Sequence, residues 1–187
     1  MLELLHLLES IHPMSDELKQ HLAFTLKEKH LAKKDYLLKA GHVSRNICFI
    51  ARGLLRCFYI KDDHEVCSWF MKEGDVIVSV ESFFSQKRSY ESIQALEDCL
   101  VYYITYEELQ FAYGRFPEFN FIGRVLLEKY YMLSEQRLYS LRMQRSQERY
   151  EYLLENQGDL VLRVPAKYLA SYLGITEVTM SKIKARI

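Results

Sequence analysis

Proline and glycine are scarce, 3 and 7 of 187 residues, which excludes collagen-like and low-complexity chains. An excess of either charge is also lacking, since Lys+Arg 25 stand against Asp+Glu 25. A neutral chain does not coat a polyanion by bulk attraction, so any contact with nucleic acid must come from local asymmetry. No apolar run reaches the ~18–20 residues that a membrane span needs. The opening MLELLHLLES carries Glu3 and Glu9 in place of a basic leader. A cytoplasmic protein that does not engage a membrane is expected.

Enzyme chemistry finds no foothold either. The six histidines (His6, His12, His21, His30, His42 and His64) show no HxH or HExxH spacing. There is no GxSxG elbow and no glycine-rich phosphate loop. Cys48, Cys57, Cys67 and Cys99 form no CxxC pair and no cluster, so neither a metal site nor an iron–sulfur unit is expected. Three of them lie inside apolar, strand-like runs and read as buried, reduced thiols.

What is present changes texture along the chain. In residues 1–29, Leu4, Leu5, Leu8 and Ile11 recur at helical steps, and Ser15 stands as an N-cap before Leu18, Leu22 and Leu26. From about 30 to 106 the period falls toward two. The runs 36–41, 47–60, 65–71, 75–80, 91–96 and 99–104 are rich in β-branched and aromatic residues. Ala40-Gly41, Arg52-Gly53, Lys61-Asp62-Asp63 and Glu73-Gly74-Asp75 separate them as turns. Short strands at this spacing predict an antiparallel β-roll, or jelly roll.

After Tyr106 the helical period returns, with a short helix stopped at Gly114 and a long one opened by Pro117. The long helix runs to about Met143, roughly 39 Å at 1.5 Å per residue. Its stripe is Ile122, Leu126, Tyr130, Leu133 and Leu141, interrupted by Arg137. A striped helix longer than a small core needs faces a partner helix, which makes these six residues the candidate dimer seam. Packing across the β-roll is the alternative. Residues 146–157 read as a helix ending at Gly158, and 160–164 as an extended link stopped by Pro165.

The tail PAKYLASYLGITEVTMSKIKAR has the spacing of a helix-turn-helix. Leu169, Ala170 and Leu173 make the inner face of its first helix. Gly174 permits a left-handed turn, Ile175 plugs the corner and Thr176 caps the second helix. Met180 and Ile183 face inward, leaving Glu177, Val178, Thr179, Ser181, Lys182 and Arg186 outward. From Arg163 on, Arg163, Lys167, Lys182, Lys184 and Arg186 stand against Glu177 alone. Such a cluster meets phosphates, and the second helix is placed to enter a major groove. Lys167, Thr176 and the six outward residues are the candidate DNA contacts. A solvated αα-hairpin is the competing reading.

A β-roll, a long striped helix and a terminal helix-turn-helix together resemble the Crp/Fnr superfamily of bacterial transcription regulators. RVPAKYLASYLGIT and ESFFSQKRSYESIQALED look in particular like its Bacteroidetes-type branch. The resemblance implies an α+β fold in three parts: a cyclic-nucleotide-binding-like β-roll over 1–116, a connecting and dimerisation helix over 117–145, and a DNA-binding domain over 146–187. It also implies a homodimer, double-stranded DNA and RNA polymerase as partners, and an effector in the β-roll. In cAMP-binding members a Gly-Glu pair and a later Arg hold the ribose and the cyclic phosphate; aligned from Gly74-Asp75, those places carry Val78, Ser79 and Ser89. The phosphate thereby loses its cationic partner, so cAMP binding through that cassette is not expected. Lys87 or Arg88 substitutes if the loop shifts by a residue or two. With Glu81, Ser82 and Tyr90 these residues are the candidate pocket for another small effector, or else a satisfied helix and turn. The recognition helix departs as well, with Glu177 and Val178 where familiar members carry Arg-Glu, so the operator does not transfer. The alternative function is a sensor that acts through a protein partner and carries a vestigial helix-turn-helix.

Overall fold

A computed structural model describes residues 1–186. Its contacts divide into two compact units, Met1–Cys57 with Phe70–Glu128, and Phe58–Trp69 with Lys129–Ile187.

The first unit begins with α1 (Leu2–Ile11) and α2 (Asp16–Thr25). Ser15 caps α2 as expected, its hydroxyl accepting from the Leu18 N–H at 3.2 Å. The strands are β1 (Lys27–Leu31), β2 (Tyr36–Leu38), β3 (Asn46–Arg52), β4 (Leu55–Lys61), β5 (His64–Met71), β6 (Val76–Ile77), β7 (Glu91–Ala95) and β8 (Cys99–Thr105). They form two sheets of order β1-β8-β3-β6 and β2-β7-β4-β5. The ladders of β8 with β1 and β3, of β3 with β6 and of β2 with β7 are all antiparallel. This is the roll that the period of two predicts. At the β3–β4 turn Gly53 has φ +98°, and a Cβ there would stand 2.5 Å from Cys99 Sγ, so no other residue fits without a shift.

Helix α3 (Val80–Ser85) interrupts the strands, and α4 (Tyr106–Arg115) and α5 (Pro117–Met143) follow them. Leu4, Leu8, Leu18 and Leu22 of the first two helices share one core with Phe49, Phe83, Leu109, Phe119 and Ile122. The four cysteines are buried, and none of them is in a disulfide among the described residues. Burial pushes Cys48 up to about 12.

Four local expectations need correction. Residues 27–29 are strand rather than helix. Their side chains are polar and exposed, because β1 is an outer strand that buries only Leu31. Within 75–80 only Val76 and Ile77 pair, and Val80 opens α3. Gly114 lies inside α4; the helix stops after Arg115, where Phe116 is held extended (φ −122°, ψ 100°) before Pro117. Residues 160–163 belong to α6 (Ser146–Arg163), which breaks at Gln157 (φ −146°, ψ 43°) and resumes. Leu160 and Val164 are both buried, so an i,i+4 apolar pair outweighs the β propensity of Val161 and Val164.

On α5 the first two of the six seam candidates serve the core of their own chain. Ile122 is fully buried in the core of its own chain and Leu126 packs against that core. Tyr130, Leu133 and Arg137 are half-buried, and of the six only Leu141 is exposed. Ile122 and Leu126 face inward because they continue the apolar row begun by buried Phe119. Besides Leu141, α5 leaves further apolar side chains in solvent, with Leu127 56%, Tyr131 66% and Leu138 43% exposed.

In the second unit, α6, α7 (Ala166–Leu173) and α8 (Glu177–Lys184) pack on one another. Tyr150, Leu153, Leu160, Leu169, Leu173, Met180 and Ile183 are buried there.

Candidate functional site

The helix-turn-helix forms as its residues dictate. Leu169, Ala170 and Leu173 are buried on α7, and Met180 and Ile183 on α8. Ala170 is small where the helices meet. Gly174 sits at φ 65°, ψ 36° in the left-handed region that ends α7. Thr176 then caps α8, its hydroxyl accepting from the Thr179 N–H at 3.1 Å.

The last four carbonyls of a helix lack partners within it, and α7 satisfies all of its own. Ala170 O accepts from Ile175 N–H and Ser171 O from Gly174 N–H, each at 3.0 Å. Leu173 O accepts from Arg149 Nε at 2.9 Å. Tyr172 O accepts from Arg137 Nη2. The Arg137 guanidinium also stacks on the Tyr172 ring, 3.5 Å from its centroid. Burial lowers the Arg137 pKa, Tyr172 opposes that shift, and the neighbouring Arg149 charge adds to it. Two cations at the negative end of α7 complement its dipole. Arg137 thus docks the carbonyl end of α7.

This scaffold leaves one row of α8 in solvent. Thr176, Glu177, Val178, Ser181, Lys182, Lys184 and Arg186 are exposed, as is Lys167 on α7, and Val178 is 65% exposed. Thr179 is half-buried and its hydroxyl lies 2.9 Å from that of Thr176, so both hydroxyls are engaged in the cap. Arg163 is half-buried on α6, 3.9 Å from Asp159.

In the β-roll the candidate effector residues separate into two sets. Ser79, Ser82 and Ser89 are buried together with Ser44 and Ser92. Ser79 and Ser89 hydroxyls lie 3.0 Å apart, and Ser89 Oγ accepts from Glu91 N–H at 3.0 Å. Ser82 Oγ accepts from Ser44 N–H at 2.9 Å and donates to Lys87 O at 2.5 Å. Burial raises the Glu91 pKa, against a hydrogen bond from Ser79. Glu81, Lys87, Arg88 and Tyr90 are exposed and Val78 is half-buried, so neither cation enters the serine cluster.

Residues 28–115 match the family model described as cyclic nucleotide-binding domain. The fold is shared with FixK2 from Bradyrhizobium japonicum at a TM-score of 0.74 and 18% identity, over 86% of this chain and 83% of that one. It is shared with the regulator CLP of Xanthomonas campestris at 0.74 and 13%, over 92% and 91%. A chain from Eubacterium rectale, described as a transcriptional regulator of the Crp/Fnr family, gives 0.71 and 15%, over 91% and 82%. A comparison with curated proteins found no match. Residues 28–115 thus resemble a cyclic nucleotide-binding domain, and the chain shares its fold with these solved regulators.

The match to a cyclic nucleotide-binding domain brings a cyclic nucleotide into consideration for this roll. The positions that would meet ribose and phosphate carry Val78, Ser79 and Ser89, and both of those hydroxyls are committed to protein partners. A buried cation of this roll is Arg56 on β4, 1% exposed, whose Nε and Nη2 reach Gln94 Oε1 on β7 at 3.1 and 2.7 Å. Sequence reasoning missed it, although a charge inside the apolar run GLLRCFYI was the available signal. Arg149 and Ser171 were missed as well. A polar residue on a short amphipathic helix carries no mark of what it will touch.

Proposed function

We propose that this chain is a DNA-binding transcription regulator that works as a homodimer, with α8 of each subunit in a major groove. One observation carries the reading: a capped α8, locked on α7, turns a row of polar and basic side chains to solvent. Lys182, Lys184, Arg186 and Lys167 meet phosphates or base edges, and Val178 suits a thymine methyl group. Paired helices demand half-sites about 34 Å apart. The exposed row of α5, Leu127, Tyr131 and Leu138, supports a helix-to-helix seam in place of the stripe around Ile122. RNA polymerase is the downstream partner that this reading implies.

The serine cluster supports a β-roll that is not switched by cAMP through the family's cassette; another small effector remains the proposal for any switch. Duplex binding measured against salt tests the function. A groove reader loses affinity steeply between about 50 and 200 mM salt, with specific sites outlasting random DNA. A flat response that does not discriminate sequence would favour the reading in which the chain works through a protein partner.

A further inference from the structure

Strand β5 is an outer strand of its sheet, and an outer strand has one edge with no strand beside it. The Phe58–Trp69 segment of the β4–β5 hairpin lies in the same compact unit as the helix-turn-helix. There Ser171 of α7 takes the part of a neighbouring strand. Its hydroxyl accepts from the Cys67 N–H at 3.0 Å and donates to the Glu65 carbonyl at 3.0 Å. Residues two apart present these groups on the same edge of a strand, so one hydroxyl serves both. A serine inside a helix ordinarily bonds back to the preceding turn; Ser171 instead bonds to the hairpin. The carbonyl end of α7 is closed by Gly174, Ile175, Arg137 and Arg149, so the helix is locally complete without it.

We propose that Ser171 is a positioning residue for DNA reading, tying α7 to the β4–β5 hairpin and thereby fixing how α8 is presented. This rests on the DNA-binding reading above. Holding α8 still before docking removes an ordering cost that would otherwise weaken the complex.

The test uses the full chain as wild type, Ser171→Ala and Ser171→Thr. It follows hydrogen exchange of the Cys67 amide together with affinity for a duplex enriched by the wild type. In Ser171→Ala the Cys67 amide exchanges about tenfold faster and duplex affinity falls about tenfold, the scale of one or two lost hydrogen bonds, while helix content is unchanged. Ser171→Thr, which keeps the hydroxyl, restores both. An amide equally slow in Ser171→Ala overturns the tie to the hairpin. Faster exchange with equal or tighter DNA binding overturns the positioning role. A wild type that enriches no duplex overturns the DNA reading itself, and the role given to Ser171 with it.

Discussion

Single residues decide how firmly α8 is held. Thr176 supplies the hydroxyl that caps it, and Thr176→Ala should cost about 1 kcal/mol, read as a lower unfolding midpoint in denaturant. Thr176→Asp keeps the cap acceptor, so it should hold that midpoint while weakening DNA binding through its charge. Glu91 makes a prediction about pH. Burial raises its folded pKa, so the folded state binds this proton more tightly than the unfolded chain does. That contribution is fully present below the ordinary carboxylate value, about 4.3, and is lost as pH rises through the raised one. Glu91→Gln should therefore raise the melting temperature at neutral pH, with the gain vanishing toward pH 4. An equal gain at both pH values would mean that Glu91 is not the titrating group.

At the scale of elements, α5 has two apolar faces and only one belongs to its own core. Ile122→Ala should cost about 2–5 kcal/mol of stability and leave the oligomeric state unchanged. Leu138→Asp, on the exposed row, should yield a monomer in sedimentation at little cost to stability; a dimer that survives it places the seam elsewhere. The sequence made the helix and its length legible, but a stripe at 3- and 4-residue steps does not say which core it serves. Strand β1 escaped for a related reason. Lys27, Glu28, Lys29 and His30 are all exposed, so no alternation marks them, and only pairing with β8 makes them a strand. The β-roll and the helix-turn-helix were legible because their turns carry Gly53 and Gly174, where geometry leaves little choice of residue. Arg56 and Ser171 were not, because their partners Gln94 and Cys67 are distant in sequence.

For the whole molecule, a β-roll that resembles a cyclic nucleotide-binding domain is followed by the helical unit proposed to read DNA. Charge is neutral overall, so the proposed DNA binding rests on α8 and its surroundings rather than on bulk attraction. Lys182→Ala should weaken all duplexes alike if its contact is a phosphate, or relax one position of the site if it reads a base; competition between related duplexes separates the two. The most direct test of the central claim is selection of duplexes from a random pool by the purified protein at about 150 mM salt, with and without cAMP. The account predicts an enriched inverted repeat with half-sites one helical turn apart, identical in both conditions. Enrichment of no sequence in either condition would contradict the groove-reading function, and enrichment only with cAMP would contradict the reading of the serine cluster.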